Sequence, residues 1–364
     1  MKSVKKITVV FMLCFTVILG SLIPATAAET KVAELIGQHT GDMNAVMVFD
    51  LTNKHTLYSK NENEKIAVAS TTKIVTALVA LKYLNPDHII TVGNEIRLTK
   101  PNSSLCYISV GQQLKLRTLI AAMLLPSGND AAYTVAVNVA KIHSGKGDMS
   151  NSEAVSYFCN LMNNYARELN CNNTFFVNPE GWDNYNHYST VADMTTFAIE
   201  AMNNSIISSI ANIHSNSFTF YSGEWIRWNN TNELINPNSK YYYPYAHGMK
   251  TGTTNMAGKC LIANAEKDGR TILILAYGCT TEDVRFGKVR DIFELVYSLP
   301  VLGDIDQDGV IAAADARLLL RASVGLEEIT PIMKKRGDTD NDGNLTALDA
   351  RKVLRAAVGL ETLT

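Results

Sequence analysis

Apolar and polar positions along this chain follow two different periods. Ala45-Val46-Met47-Val48-Phe49 is an almost unbroken apolar run of strand length. Asn53-Lys54 supplies a turn, and Thr56-Leu57-Tyr58-Ser59 reads as the hairpin partner. From Ile74 to Leu81 the apolar run has helical spacing and contains neither Gly nor Pro. It predicts a buried helix that starts at Ala69-Ser70-Thr71-Thr72-Lys73. A long, mostly helical stretch follows. Within it, Leu119 to Leu125 is apolar and halts at Pro126-Ser127-Gly128-Asn129-Asp130 before Ala131 to Ala140 resumes a helix, which places Ser127 and Asn129 on a tight exposed turn. Strand patterning returns at Gly248–Thr254, Gly258–Ala265 and Thr271–Tyr277, with Lys267-Asp268-Gly269-Arg270 as a hairpin signal between the last two. An amphipathic helix, about Glu282 to Tyr297, closes the unit. Strands first, helices in the middle and strands last predict an α+β fold with one antiparallel sheet whose edges come from both ends of the unit.

After Leu299-Pro300 the pattern changes. Asp304-Ile305-Asp306-Gln307-Asp308-Gly309 and Asp338-Thr339-Asp340-Asn341-Asp342-Gly343 lie 34 residues apart, and each leads into a near-copy of the same helical segment. This is an internal duplication. Carboxylates at loop positions 1, 3, 5 and 12, with glycine at 6, form an oxygen cage suited to calcium. The expected ligands are Asp304, Asp306, Asp308, Asp315 and the Val310 carbonyl in the first loop, and Asp338, Asp340, Asp342, Asp349 and the Asn344 carbonyl in the second. Ala312 occupies position 9 of the first loop, where the second has Thr346, so a water and weaker binding are expected there.

With 364 residues and 46% hydrophobic content the chain can bury a sizeable core. A net charge of −2 gives no broad attraction to nucleic acid or to an anionic membrane. Lys2, Lys5 and Lys6 precede the apolar run Ile7 to Ile23, and Ala25-Thr26-Ala27 supplies a peptidase site. Residues 1–27 are therefore expected to be a cleaved signal peptide, followed by a catalytic unit at 28–300 and the duplicated module at 301–364. The mature protein is expected to be secreted, extracellular or wall-associated, with no membrane anchor. Of six cysteines, Cys14 leaves with the leader; Cys106, Cys159, Cys171, Cys260 and Cys279 read as buried apolar side chains.

Three residues along a helix returns to the same face, so Lys73 stands beside the Ser70 hydroxyl. A serine needs a neighbour to take its proton, and a lysine can be that neighbour when burial disfavours its charge. The pattern is short, and Ser3 with Lys6 repeats it by chance. Its weight comes from order: Ser70-x-x-Lys73, then Ser127-x-Asn129 after 57 residues, then Lys250-Thr251-Gly252 after a further 123. Gly252, without a side chain, would let a substrate backbone lie along the strand.

These residues resemble the low-molecular-mass D-alanyl-D-alanine carboxypeptidases, the serine-type penicillin-binding proteins. The resemblance covers roughly Ala45 to Tyr297. It includes Asn178-Pro179-Glu180-Gly181-Trp182, His187-Tyr188-Ser189-Thr190 with Asp193-Met194, and Asn230-Thr231-Asn232. Trp182 and Val68 depart from the usual leucine and proline. The family implies a β-lactamase/transpeptidase-like fold, a five-stranded antiparallel sheet flanked by helices plus a helical subdomain. It also implies roles. Ser70 would attack the carbonyl between two D-alanines of a peptidoglycan stem peptide, and Lys73 would take its proton. Ser127 would relay a proton to the leaving amine, and Asn129 would hold Lys73 and the substrate amide. Lys250 would depress the Lys73 pKa and, with Thr251 and Thr253, bind the terminal carboxylate. The Ser70 and Thr253 backbone N–H groups would form the oxyanion hole, and β-lactams would acylate the same serine.

Two other readings stand beside this one. His187 and His247 could belong to a Ser-His-Asp arrangement, although Lys73 already fills the base role. A β-lactamase of class A needs the glutamate of an E-x-x-L-N stretch, three residues before the leucine, and the nearest stretch, Ala166-Arg167-Glu168-Leu169-Asn170, has alanine at that position. Tyr241, Tyr242, Tyr243 and Tyr245 are expected to pack a loop onto the sheet rather than line the cleft.

The duplicated module resembles a dockerin, a small all-α domain that binds two calcium ions and docks on a cohesin module of a scaffoldin. Aspartate at position 12 and the expected lack of a helix before either loop both fit that resemblance. Scaffold retention would replace the family's usual membrane anchor. A non-catalytic wall-binding subunit is the contrasting reading, and the intact motif trio argues against it.

Overall fold

The computed structural model describes residues 27–361 and 363; the expected leader, apart from Ala27, and Cys14 lie outside the described residues. Helix α1 (Ala27–Gly37) leads into β1 (Ala45–Asp50) and β2 (His55–Lys60), and a 3-10 turn, Ala69–Thr71, opens α2 (Thr72–Tyr83). The short strands β3 (Ile89–Thr91) and β4 (Gln113–Lys115) frame a loop, followed by α3 (Leu116–Leu124), α4 (Asn129–Ser144) and α5 (Asn151–Glu168). Next come α6 (Val191–Asn203), α7 (Ser205–Ala211) and the hairpin β5 (Ser215–Thr219) and β6 (Trp225–Asn229). Strands β7 (Ala246–Thr254), β8 (Gly258–Lys267) and β9 (Arg270–Cys279) complete the sheet, before a π-helical turn, Asp283–Lys288, and α8 (Val289–Ser298). The carboxyl-terminal module holds α9 (Ala313–Ser323), α10 (Pro331–Gly337) and α11 (Ala347–Ala357).

The main sheet is antiparallel, in the order β2-β1-β9-β8-β7, so its edges do come from both ends of the unit. Its alternating side chains feed two cores. Leu273, Leu275 and Tyr277 of β9 join α2, α3 and α4 on one face, while Ile272, Ile274 and Ala276 join Phe286, Ile292 and Phe293 on the other. A strand buried on both faces has no polar side to show, which is why β1 and β9 read as continuous apolar runs. A charged pair buried inside the sheet is satisfied: Arg270 Nε donates to Asp50 Oδ2 at 2.7 Å. The helical subdomain is interrupted by two small two-stranded sheets, β3–β4 and β5–β6, that the apolar patterning did not reveal. Tyr243 stacks on Phe293 of α8 and Tyr241 packs beside Phe286, so these two fasten their loop to the helical layer against the sheet, while Tyr242 and Tyr245 are exposed. All five remaining cysteines are buried and free.

In the carboxyl-terminal module α9 and α11 pack around Ile305, Leu319 and Val353. One expectation fails here: α10 ends at Gly337, directly before the second loop, so that loop is preceded by a helix. Thr330 caps this helix through Met333 N, with Pro331 at its first position, a start signal that its short length obscured. The module meets the catalytic unit where Ile311 N donates to Asn53 Oδ1 at 3.3 Å. A mainly apolar cavity of about 750 Å³ lies near this junction, between β2, α8 and the connecting residues Leu299 to Leu302, and none of the motif residues lines it. Among the described residues no helix is long and apolar enough to cross a membrane.

Candidate active site

Ser70 lies in the 3-10 turn that opens α2 rather than within the α-helix itself. The residue before it, Ala69, has φ of 47°, which turns the chain so that Ser70 is half-buried at the end of a buried helix. Gly181 makes this possible. At φ of +89° it passes so close that a Cβ there would stand 1.8 Å from Ala69 O. Asn178 fixes that close approach by accepting from Gly181 N at 2.7 Å and Trp182 N at 3.1 Å.

Lys73 is fully buried and donates to Ser70 Oγ at 2.8 Å, Asn129 Oδ1 at 2.7 Å and the Glu180 carbonyl at 2.9 Å. Burial brings its pKa down to about 8, against the opposing pull of Glu180, Asp130 and Cys106. A fraction of the amine is therefore neutral near physiological pH and able to accept a proton from the hydroxyl it touches.

Asn129 is the first residue of α4, and Ser127, at φ of 64°, is on the turn just before it. That turn is buried, not exposed as its polar composition suggested: Ser127 and Asn129 are each 5% accessible. Asp130 draws the neighbouring loop over it, accepting from Cys106 N at 2.9 Å and Ile108 N at 3.3 Å. The structure joins Asn129 to Lys73 directly, whereas the Ser127 hydroxyl makes no hydrogen bond to either Ser70 or Lys73 among the described residues.

Lys250, Thr251, Gly252 and Thr253 lie on edge strand β7 beside the Ser70 turn. Lys250 is fully buried and donates to the Thr251 carbonyl at 2.9 Å. Burial, then the Lys73 ammonium, then Arg285, push its pKa well below the usual lysine value. Burial is also the first cause that lowers Lys73. Gly252 also has another use than the one expected. A Cβ there would stand 2.9 Å from Ala69 Cβ and 3.0 Å from Ser70 N, so its bareness lets β7 close on the serine turn. Thr253 is exposed, and the Thr251 hydroxyl meets that of Thr231 at 2.5 Å.

Arg285 was not anticipated. From the π-helical turn its Nη1 donates to Thr253 Oγ1 at 3.0 Å and to the Gly252 carbonyl at 3.2 Å. Nothing in an isolated arginine near the start of an amphipathic helix signals this placement. His187 is distant in role: it bonds Thr72 and Val177 rather than Ser70.

In the module, Asp304, Asp306 and Asp315 bring carboxylate oxygens within 4.8 Å of one another, as do Asp338, Asp340 and Asp342. Asp304 Oδ1 is buried without a partner among the described residues, an atom a cation would satisfy. Asp308 and Asp349 stand outside these triplets: Asp308 caps Val310 N, and Asp349 accepts from Thr339 and Thr346.

A family described as D-alanyl-D-alanine carboxypeptidase matches residues 31–279, and the dockerin type I domain matches residues 302–356. D-alanyl-D-alanine carboxypeptidase DacF of Bacillus subtilis is 29% identical over 292 residues, covering 78% of this chain and 70% of the relative. A D-alanyl-D-alanine carboxypeptidase of Streptomyces sp. is 31% identical over 255 residues, covering 67% of this chain and 83% of the relative. The crystal structure of a Streptomyces DD-transpeptidase superposes with a TM-score of 0.64 at 28% identity, covering 71% of this chain and 98% of that one.

Proposed function

This chain belongs to the D-alanyl-D-alanine carboxypeptidase family, and from that premise we propose that Ser70 is the nucleophile that removes the terminal D-alanine of peptidoglycan stem peptides. The observation that carries the assignment is the buried Lys73 amine 2.8 Å from Ser70 Oγ, with its pKa lowered to about 8. Lys73 takes the hydroxyl proton as Ser70 attacks the carbonyl between the two D-alanines. The N–H groups of Ser70 and Thr253 hold the developing oxyanion, a contribution of about 3–4 kcal/mol per donor in other acyl-transfer enzymes. Ser127 passes a proton to the departing D-alanine, and water then hydrolyses the acyl-enzyme. Lys250, with Thr251, Thr253 and the neighbouring Arg285, receives the terminal carboxylate, whose charge favours the protonated form of the buried lysine. A β-lactam would acylate Ser70 and leave slowly.

The dockerin supplies attachment rather than chemistry. Its two acidic loops would hold calcium, whose charge offsets the repulsion among the convergent carboxylates. The partner we infer is a cohesin module on a scaffold at the cell surface or outside the cell. Export through a leader cleaved after Ala27 and a division near Pro300 are part of the same reading.

The experiment is incubation of the full chain with a penicillin and, separately, with a peptide ending in D-Ala-D-Ala. The expected results are a long-lived covalent adduct on the peptide bearing Ser70 and D-alanine release that Ser70→Ala abolishes. A Ser70→Ala variant that still released D-alanine at the unmodified rate would overturn the assignment.

A further inference from the structure

The carboxyl-terminal module is joined to the catalytic unit by more than a tether. Only Leu299-Pro300-Val301-Leu302-Gly303 separates α8 from Asp304, and this is not the Gly/Ser-rich composition of a flexible linker. The segment is also hydrogen-bonded: Leu299 N donates to the Val296 carbonyl at 3.3 Å and Gly303 N to the Arg336 carbonyl at 2.7 Å. Beside it, the apolar cavity takes its walls from both units, α1 and β2 on one side, Ile311 and Leu363 on the other. The first acidic loop then nests against the turn between β8 and β9. At Gly309, buried with φ of +87°, a Cβ would stand 2.3 Å from Asp268 O, and at Gly269 a Cβ would stand 2.8 Å from Asp308 O. Backbone meets backbone here, and only glycine leaves room. The second loop supplies the comparison. Gly343 holds the same place in it, with φ of +85°, yet a Cβ there meets nothing within 4 Å among the described residues. Turn geometry alone accounts for Gly343, whereas Gly309 also serves a close approach.

A polar chain fixes the register of this contact. Arg270 Nε donates to Asp50 Oδ2 at 2.7 Å, and Asn53 donates to the same carboxylate through N at 2.9 Å and Nδ2 at 3.0 Å. With its NH₂ turned to Asp50, Asn53 has only Oδ1 left to offer outward, and Ile311 N donates to it at 3.3 Å. The loop that carries Gly309 and Ile311 depends on charge for its shape. Asp304, Asp306 and Asp315 bring carboxylate oxygens within 4.8 Å of one another, and a metal ion between them removes the repulsion that would otherwise open the loop. We propose that calcium in the first loop docks the module on the catalytic unit, seating Gly309 against the β8–β9 turn and Ile311 against the β1–β2 turn. The two units then open as one body, and calcium protects the sheet as well as the module. This rests on the reading of the acidic loops as calcium sites.

The test is amide hydrogen exchange of the full chain in saturating calcium and after chelation, with a calorimetric calcium titration of the same sample. Calcium at a hundredfold excess over its dissociation constant is expected to slow exchange in the two receiving turns, residues 51–54 and 266–271, by up to about a hundredfold. Peptides from α5, in the helical subdomain, should keep their rates. Two variants separate docking from loop shape. Gly309→Ala and Gly343→Ala strain the same position of an acidic loop, but only Gly309→Ala drives a methyl group into Asp268 O. Gly309→Ala is expected to lose the calcium-dependent protection of the two turns, and Gly343→Ala to keep it. Protection confined to residues 304–349 of the unmodified chain overturns the proposal, as does protection of the turns that Gly309→Ala retains. If Gly309→Ala leaves the module unfolded, the unmodified chain decides alone. A titration that shows no calcium binding would instead defeat the calcium reading of the loops, and this inference with it.

Discussion

His187 places Nε2 2.9 Å from the Thr72 hydroxyl, while its Nδ1 accepts from Val177 N at 3.2 Å. With Nδ1 accepting, Nε2 carries the proton and donates to Thr72, whose hydroxyl in turn donates to the Ala69 carbonyl at 2.8 Å. The histidine thus braces the residue that turns the chain into Ser70. It is a structural group that an alternative reading of the sequence would have made a base.

Replacing it therefore acts on stability. His187→Ala should cost about 2–3 kcal/mol, from lost packing and an unsatisfied buried hydroxyl, while the folded fraction still forms one penicillin adduct per chain. Burial brings the His187 pKa down to about 3. Between the ordinary histidine value and about 3 the unfolded chain binds a proton that the folded chain does not, so stability falls as pH drops through that window. Melting curves at neutral pH and near pH 4 should show less acid sensitivity in the variant than in the unmodified chain. Loss of adduct formation in well-folded His187→Ala would contradict this role.

Lys73 gives the reaction its own pH dependence. Its neutral form is the base, so the acylation rate should fall about tenfold per pH unit below a pKa of about 8 and level off above it. Lys73→Ala should lower that rate by about 10²–10⁴-fold, the usual contribution of a general base. Stopped acylation assays at pH values well below and well above about 8 check both; a flat profile would exclude Lys73 as the base.

Gly252 offers a test of how tightly β7 must close on the serine. A methyl group there meets Ala69 Cβ at 2.9 Å and Ser70 N at 3.0 Å, so the turn must shift by several tenths of an ångström. Gly252→Ala should slow acylation by about 10²-fold, as small displacements of reacting groups do elsewhere, with melting temperature little changed. Unaltered acylation would mean that strand and turn need not touch.

The sheet was legible because its central strands are buried on both faces: Val46 and Val48 fill one core and Ala45 and Met47 the other, leaving a solid apolar run. Local spacing likewise gave Lys73 beside Ser70. What stayed hidden is what depends on distant segments. The burial of Ser127 and Asn129 comes from a loop that Asp130 ties down, and its polar sequence looks like any exposed turn. Arg285 reaches Thr253 only because a π-helical turn aims it there, and the Glu180 side chain reaches Tyr133 only because Gly181 can press against Ala69. No period along the chain encodes such contacts.

The two acidic loops should differ in affinity, and their structure gives a reason beyond Ala312. Arg336 Nη1 donates to Asp304 Oδ2 at 2.5 Å and to the Asp304 carbonyl at 3.0 Å, so a guanidinium already sits on a first-loop ligand. In the second loop a cation stands farther off and on a different ligand, Lys352 Nζ at 3.7 Å from Asp340 Oδ2, and Thr346 stands where the first loop has alanine. Calcium must displace the arginine from Asp304 but can enter the second loop with less rearrangement. Titration calorimetry on the chelator-stripped full chain should resolve two sites, with the tighter one lost in Asp340→Ala and the weaker one strengthened in Arg336→Ala. Saturating calcium should also stabilise the module, by about 2.7 kcal/mol at a hundredfold excess over the dissociation constant of a single site, and a chelator should reverse this. A tighter first site, or a melting transition indifferent to calcium, would refute this ordering.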